Sequence, residues 1–253
     1  MKKNNVQDLT LASVFAAIIL VMTFVPQIGF ITLGPVALTL IHIPVLIGAF
    51  LLPKKYSLSL GALFGIGSLI RAATSPTGPL DAAFVNPLVS VLPRVLFVIA
   101  AIYLLELFKL VEKKVKNSNI WIFAVVALIT SLGIYYAGQA IISFTSWNET
   151  FITLLFLVIN VGFITGYYAF IQKKDSFILM PSTLILSTVL HTFLVLGAMV
   201  LFEYTLVTTY IPSSELFGLI VSIAVTNGLV EAILAAFIGT PILYALEQVK
   251  NKR

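Results

Sequence analysis

Asn86-Pro-Leu-Val-Ser-Val-Leu-Pro-Arg94-Val-Leu-Phe-Val-Ile-Ala-Ala-Ile-Tyr-Leu-Leu-Glu-Leu-Phe-Lys109 is a nearly unbroken apolar stretch with one arginine inside it and a lysine at its end. The apolar run to which it belongs, 83–107, exceeds the roughly 20 residues a helix needs to cross a bilayer. The rest of the chain reads the same way. Of 253 residues, 60% are apolar and 10% charged, and the mean hydropathy is +1.09. So few charges cannot clothe a water-soluble core, so lipid is the solvent. The apolar stretches are continuous runs without period-2 alternation, which excludes an outer-membrane barrel. Cysteine is absent, which excludes disulfides, thiolate metal sites and cysteine nucleophiles. The net charge of +5 comes from short basic clusters between apolar runs, a pattern of membrane topology and not of a nucleic-acid face.

The chain is expected to be an all-α polytopic bundle, one membrane domain over 1–253. Its eight spans are predicted at 9–26, 36–52, 57–73, 83–107, 119–144, 151–171, 176–205 and 217–246. The first is expected to stay in the protein as a span, because no small-residue cleavage site and polar domain follow it. Connections alternate in character. The set at 53–56, 109–116, 172–175 and 250–253, with Lys2 and Lys3, carries every Lys and Arg except Arg71 and Arg94. The other set, 27–35, 72–82, 145–150 and 206–216, has no lysine. The positive-inside rule then places both termini in the cytoplasm of a multi-pass protein of the cell membrane.

Arg94 lies about 11 residues, roughly 16 Å, inside the outer end of its span. A buried arginine costs roughly 2.5–3.5 kcal/mol even on insertion scales, so it needs a carboxylate, a wet cavity or an anionic ligand. His42, Asn86, His191, Asn227 and Glu231 also fall between the outer surface and the midplane on this topology. Asn227 and Glu231, at i and i+4, share a helix face. The inner half is nearly all apolar, which suits a pocket open outward and closed below better than a channel. These six residues are the candidate substrate-binding set. Bland readings stand beside it: histidines bonded to a neighbouring helix, Asn227 as interhelical glue, Arg94 and Glu231 as a structural ion pair. The loop 72–82, rich in Pro, Gly and hydroxyls, reads either as a plain turn or as a lid with Thr74, Ser75, Thr77 and Asp81 available to a ligand. Ala12-x-x-x-Ala16 and Gly61-x-x-x-Gly65 mark close helix approach. No phosphate-binding loop, zinc motif or nucleophile elbow is present, so neither an ATPase site nor catalytic, metal or cofactor residues are expected.

Several segments resemble the substrate-binding (S) component of energy-coupling factor transporters, most closely the pantothenate type. They are Ala12-x-x-x-Ala16, Ile41 to Ala49 with Leu52-Pro-Lys-Lys-Tyr56, Ser75 to Asp81, Asn86-Pro87, Val91-Leu-Pro-Arg94, and Thr226-Asn-Gly-Leu-Val-Glu-Ala232. The resemblance implies a six-helix core: its first four helices over 1–112 and its last two over 176–246. The region 118–175 departs from it as an extra helical hairpin. The resemblance further implies a vitamin bound from outside, with pantothenate as the expected ligand, and no enzymatic activity. Its partners would be a transmembrane coupling subunit, met through Ala12 and Ala16, and two ATPase subunits. Alternatives are an S component for another vitamin or small organic acid, and a self-sufficient secondary transporter.

Overall fold

The computed structural model describes residues 3–25, 28–32, 37–76, 78–144, 147–172 and 178–251. Thr77, one of the expected lid residues, lies outside them. The chain is helical nearly throughout: α1 (Lys3–Phe24), α2 (His42–Leu51), α3 (Lys54–Thr74), α4 (Pro87–Ser90), α5 (Leu92–Lys114), α6 (Ser118–Phe144), α7 (Glu149–Ile171), α8 (Leu179–Phe202), α9 (Tyr204–Tyr210) and α10 (Leu216–Asn251). A 3-10 segment, Pro79–Val85, precedes α4. Among the described residues seven helices are long and apolar enough to cross a membrane, with α4 and α5 running as one, Pro87–Lys114.

The expected second span is corrected. Residues Phe30–Thr32 (β1) and Ala37–Thr39 (β2) form an antiparallel hairpin with Phe30 opposite Thr39. Only His42–Leu51 is helical there, ten residues, about 15 Å. Pro44 supplies the reason. It lacks an N–H and its ring crowds the carbonyl four residues back, so it is tolerated only in a first turn. The helix therefore starts just upstream of it. Nine of the ten residues of α2 are buried, so it is a core helix enclosed by the others.

α1 packs on α3 and α2 through a buried stripe of Ala12, Phe15, Ile19 and Thr23. The Gly61 and Gly65 spacing brings α3 onto the α4–α5 backbone. A Cβ at Gly61 would come 2.8 Å from Val98 and 3.0 Å from the Arg94 carbonyl oxygen, and one at Gly65 would meet Val91 and the Ser90 carbonyl. α8 and α10 pack closely on each other, with Gly228 against Thr192 and Gly239 against Leu184.

Four apolar clusters of buried residues result, two of them away from α6 and α7. The larger of those two takes residues from α1, α2, α3, α5, α8 and α10 and fills the end of the bundle near the basic connections. The smaller, including Leu80, Val89, Leu196, Met199, Val207 and Ile223, lies at the opposite end. The hairpin α6–α7 stands outside this arrangement. α6 packs on α10, α8 and α5, while α7 packs mainly on α6. The hairpin is attached through two apolar clusters, Ile122 with Phe108, Ile178 and Leu179, and Val126 and Tyr167 with Ile185 and Ala232, beside two side-chain hydrogen bonds. Ser131 Oγ donates to Asn160 Oδ1 at 3.1 Å between its own two helices, and the Tyr167 hydroxyl shares a 2.6 Å hydrogen bond with Ser182 Oγ on α8.

Candidate substrate-binding site

A cavity of about 80 Å³ lies where the two clusters away from α6 and α7 meet, several times the ~10–15 Å³ that one water molecule requires. Six parts of the chain wall it: the β1–β2 hairpin, α3, the 3-10 segment, the arginine turn of α5, α8 and α10. Its upper wall is apolar, formed by Leu80, Val195, Leu196, Met199 and Ile223. Polar groups converge lower down: Arg94, His191, Thr192, Asn227 and Glu231.

Arg94 stands at the start of α5, after a break in the helix at Val91 with Pro93 in the first turn. It is only 4% exposed. Its Nη1 donates to the Val89 carbonyl oxygen at 2.8 Å, and its guanidinium carbon lies 5.1 Å from the Phe84 ring centre and 5.4 Å from that of Phe64. Its Nε, also buried, has no hydrogen-bond partner. Among the described residues no carboxylate oxygen comes within 4.0 Å of it, Glu231 included, so the two do not form a direct ion pair. A fully buried guanidinium held by one carbonyl and two aromatic faces retains donors for an acidic group in the cavity.

His191 is 3% exposed and neither ring nitrogen has a hydrogen-bond partner. Its ring is fixed by three others: Phe97 at 4.7 Å between centroids, Phe64 at 5.7 Å and His42 at 5.8 Å, the last nearly parallel at 17°. It thus offers one donor and one acceptor in a set orientation. Glu231 lines the wall and its Oε1 accepts the Thr39 backbone N–H at 2.6 Å.

The structure brings Arg94, His191, Asn227, Glu231 and Asp81 of the expected residues to one cavity. It places others elsewhere. His42 is fully buried behind His191 and outside the lining. Asn86 caps α4: its Oδ1 accepts the Leu88 N–H at 2.9 Å, and its Nδ2 donates to Glu203 Oε1 at 2.7 Å. Thr74, exposed at the end of α3, returns its hydroxyl to the Ile70 carbonyl at 2.8 Å, and Ser75 ends that helix; neither lines the cavity. Ala12 is buried in the protein's own core and Ala16 packs half-buried against it, so the pair faces inward.

Sequence reasoning missed Arg71, Ser68, Thr192, Phe30 and Phe84 as cavity residues. The guanidinium of Arg71 lies 3.9 Å from the Phe30 ring centre, so a second cation stands in the wall. Arg71 carried a signal, since with Arg94 it was one of two basic residues outside the basic connections and termini. Helical spacing from His191 would also have reached Val195 and Met199.

This cavity, enclosed among membrane-crossing helices and mixing an apolar wall with a few convergent polar groups, has the make-up of a small-molecule pocket. Residues 7–171 match the family described as ECF transporter, substrate-specific component, and the chain belongs to that family. Its members are transport subunits for vitamin-type substrates within ECF modules, and not enzymes. The chain is also similar to the pantothenate transporter PanT of Leuconostoc mesenteroides subsp. mesenteroides, 32% identical over 100 residues, 38% of this chain and 49% of the relative. The chain spans about half the length of that curated relative.

Proposed function

We propose that this multi-pass membrane protein captures pantothenate on the outer side of the cell membrane and delivers it inward. A separate coupling subunit and two ATPase subunits would supply the energy. The observation that carries this reading is Arg94: buried at the cavity, with an unpartnered Nε and, among the described residues, no carboxylate oxygen within 4.0 Å. A carboxylate ligand completes its hydrogen bonding and neutralises its charge. His191 and Asn227 then serve the amide and hydroxyl groups of pantothenate, and the apolar wall takes its methyl groups. The similarity to a pantothenate transporter supports the same ligand.

In this reading the β1–β2 hairpin and α2 together make the second passage, both termini are cytoplasmic, and the 72–82 loop, through Asp81, closes the outer side. The coupling subunit docks along α1, where Ser13 and Ala17 are exposed beside Ala16. The α6–α7 hairpin is an addition to a six-helix core, set against α8 and α10 and away from α1. Mass spectrometry of the ligand that co-purifies in mild detergent, followed by calorimetry with pantothenate, tests the assignment. Another organic acid in the preparation, with no heat of binding for pantothenate, would refute it. Uptake by proteoliposomes that lack any ATPase would refute the energising scheme.

A further inference from the structure

The backbone N–H and C=O of one residue in the cavity wall, Thr39, are both held from outside their own hairpin. Leu40 N–H bonds the Gly29 carbonyl at 2.8 Å, so that pair closes the ladder between the strands. Phe30 and Thr39, the next pair, are then a non-hydrogen-bonded pair, and the N–H and C=O of Thr39 point away from β1. Such outward groups on an edge strand need partners if they are buried. Glu231 and His42 supply them. Glu231 Oε1 on α10 accepts the Thr39 N–H at 2.6 Å, and His42 Nδ1 at the start of α2 lies 2.6 Å from the Thr39 carbonyl oxygen. That oxygen can only accept, so His42 Nδ1 carries the proton and donates. Glu231 and His42 come from different helices and are 5% and 0% exposed. Thr39 and its cross-strand neighbour Phe30 both line the cavity.

We propose that Glu231 and His42 are positioning residues that clamp the Thr39 backbone on both sides of its Cα and thereby fix the β1–β2 hairpin, with Phe30, as a wall of the ligand cavity. Their effect on the ligand passes through the hairpin. His42 has a second reach, since its ring stacks on His191. The clamp sits where α10 and α2 meet the hairpin, so a shift of either helix moves that wall.

The inference rests on the reading of this cavity as the ligand site, and the experiment separates the two. Hydrogen exchange of peptides covering 28–40, measured on the purified full chain without ligand, reads the clamp alone. Glu231→Ala should raise exchange there about ten- to 150-fold, the factor that corresponds to a hydrogen bond with a charged group. Glu231→Gln keeps an acceptor oxygen and should raise it by less than about threefold. His42→Phe keeps a ring against His191 and removes the donor, so it too should loosen the hairpin.

Thr39→Pro deletes the same bond from the other side, on a strand edge where proline is tolerated. Since Glu231 and the Thr39 N–H form one bond, the double variant Glu231→Ala with Thr39→Pro should lose no more than the worse single variant, both in exchange and in the dissociation rate of pantothenate. Unchanged exchange in Glu231→Ala, or losses that multiply in the double variant, would overturn the clamp. If wild type binds no pantothenate, the proposed function fails while the exchange arm still decides the clamp.

Discussion

Arg94→Met is the most informative single perturbation of this site. Methionine fills most of the volume and removes every donor. The structural loss is bounded: one 2.8 Å hydrogen bond to the Val89 carbonyl, and the faces of Phe64 and Phe84 at 5.4 and 5.1 Å. Cation–π contacts contribute about 0.5–2 kcal/mol each, and removing the guanidinium also removes the cost of keeping a charge buried. The fold should therefore survive. Binding should not. A hydrogen bond to a charged group is worth about 1.5–3 kcal/mol, which predicts a ten- to 150-fold weaker affinity for pantothenate. Arg94→Lys should recover only part, because a point charge cannot offer two parallel donors. Calorimetry with pantothenate and with its carboxamide analogue is the assay. The analogue should bind wild type weakly and lose little more on mutation. The reasoning is refuted if Arg94→Met binds pantothenate within about threefold of wild type. It is refuted equally if Arg94→Met with Glu231→Gln regains wild-type affinity, since that would make the two side chains a structural pair despite their separation.

Three further outcomes follow from the packing. Gly65→Leu should misfold or melt far below wild type, because its Cβ would stand 2.6 Å from Val91 Cα; a normal melting curve would contradict the close α3–α4 approach. Ala12→Leu should destabilise the isolated protein by about 1–3 kcal/mol, the usual cost of overpacking, since Ala12 is 8% exposed within the core. Normal melting combined with failed assembly would instead return Ala12 to a partner surface. Tyr167→Phe leaves the buried Ser182 hydroxyl unpaired and should cost about 1–3 kcal/mol in thermal unfolding while leaving pantothenate affinity unchanged. A matching loss of affinity would show that the α6–α7 hairpin reaches the site.

Much of the architecture was legible because lipid imposes a composition. Runs of apolar residues and lysines confined to alternate connections mark eight spans without any packing information, and seven of them are long apolar helices among the described residues. The span expected over 36–52 was not legible as a hairpin and a half-length helix, since an extended segment buried among helices is as apolar as a helix. Pro44 was the available signal for where α2 starts. Asn86 was likewise readable. Asn-Pro followed by an apolar run is a helix start, with the asparagine as cap and proline at the first helical position. The ligand reading gave that local job too little weight, and the structure shows Asn86 doing it.

Arg94, His191, Asn227 and Glu231 were found for a different reason: polar residues at membrane depth are costly wherever they point, so depth alone singled them out. Facing was not readable by the same logic. A soluble helix announces its buried side by a polar opposite side. On α1 the buried stripe and the exposed one are both apolar, with Phe15 and Ile19 on one and Val14 and Ile18 on the other. Nothing in the period distinguishes Ala12, turned inward, from Ser13 and Ala17, turned out. The same ambiguity hid which of the two histidines meets the cavity. His42 and His191 are both buried and equally polar, and only the stacking of one ring behind the other decides that His191 lines the cavity and His42 stands behind it.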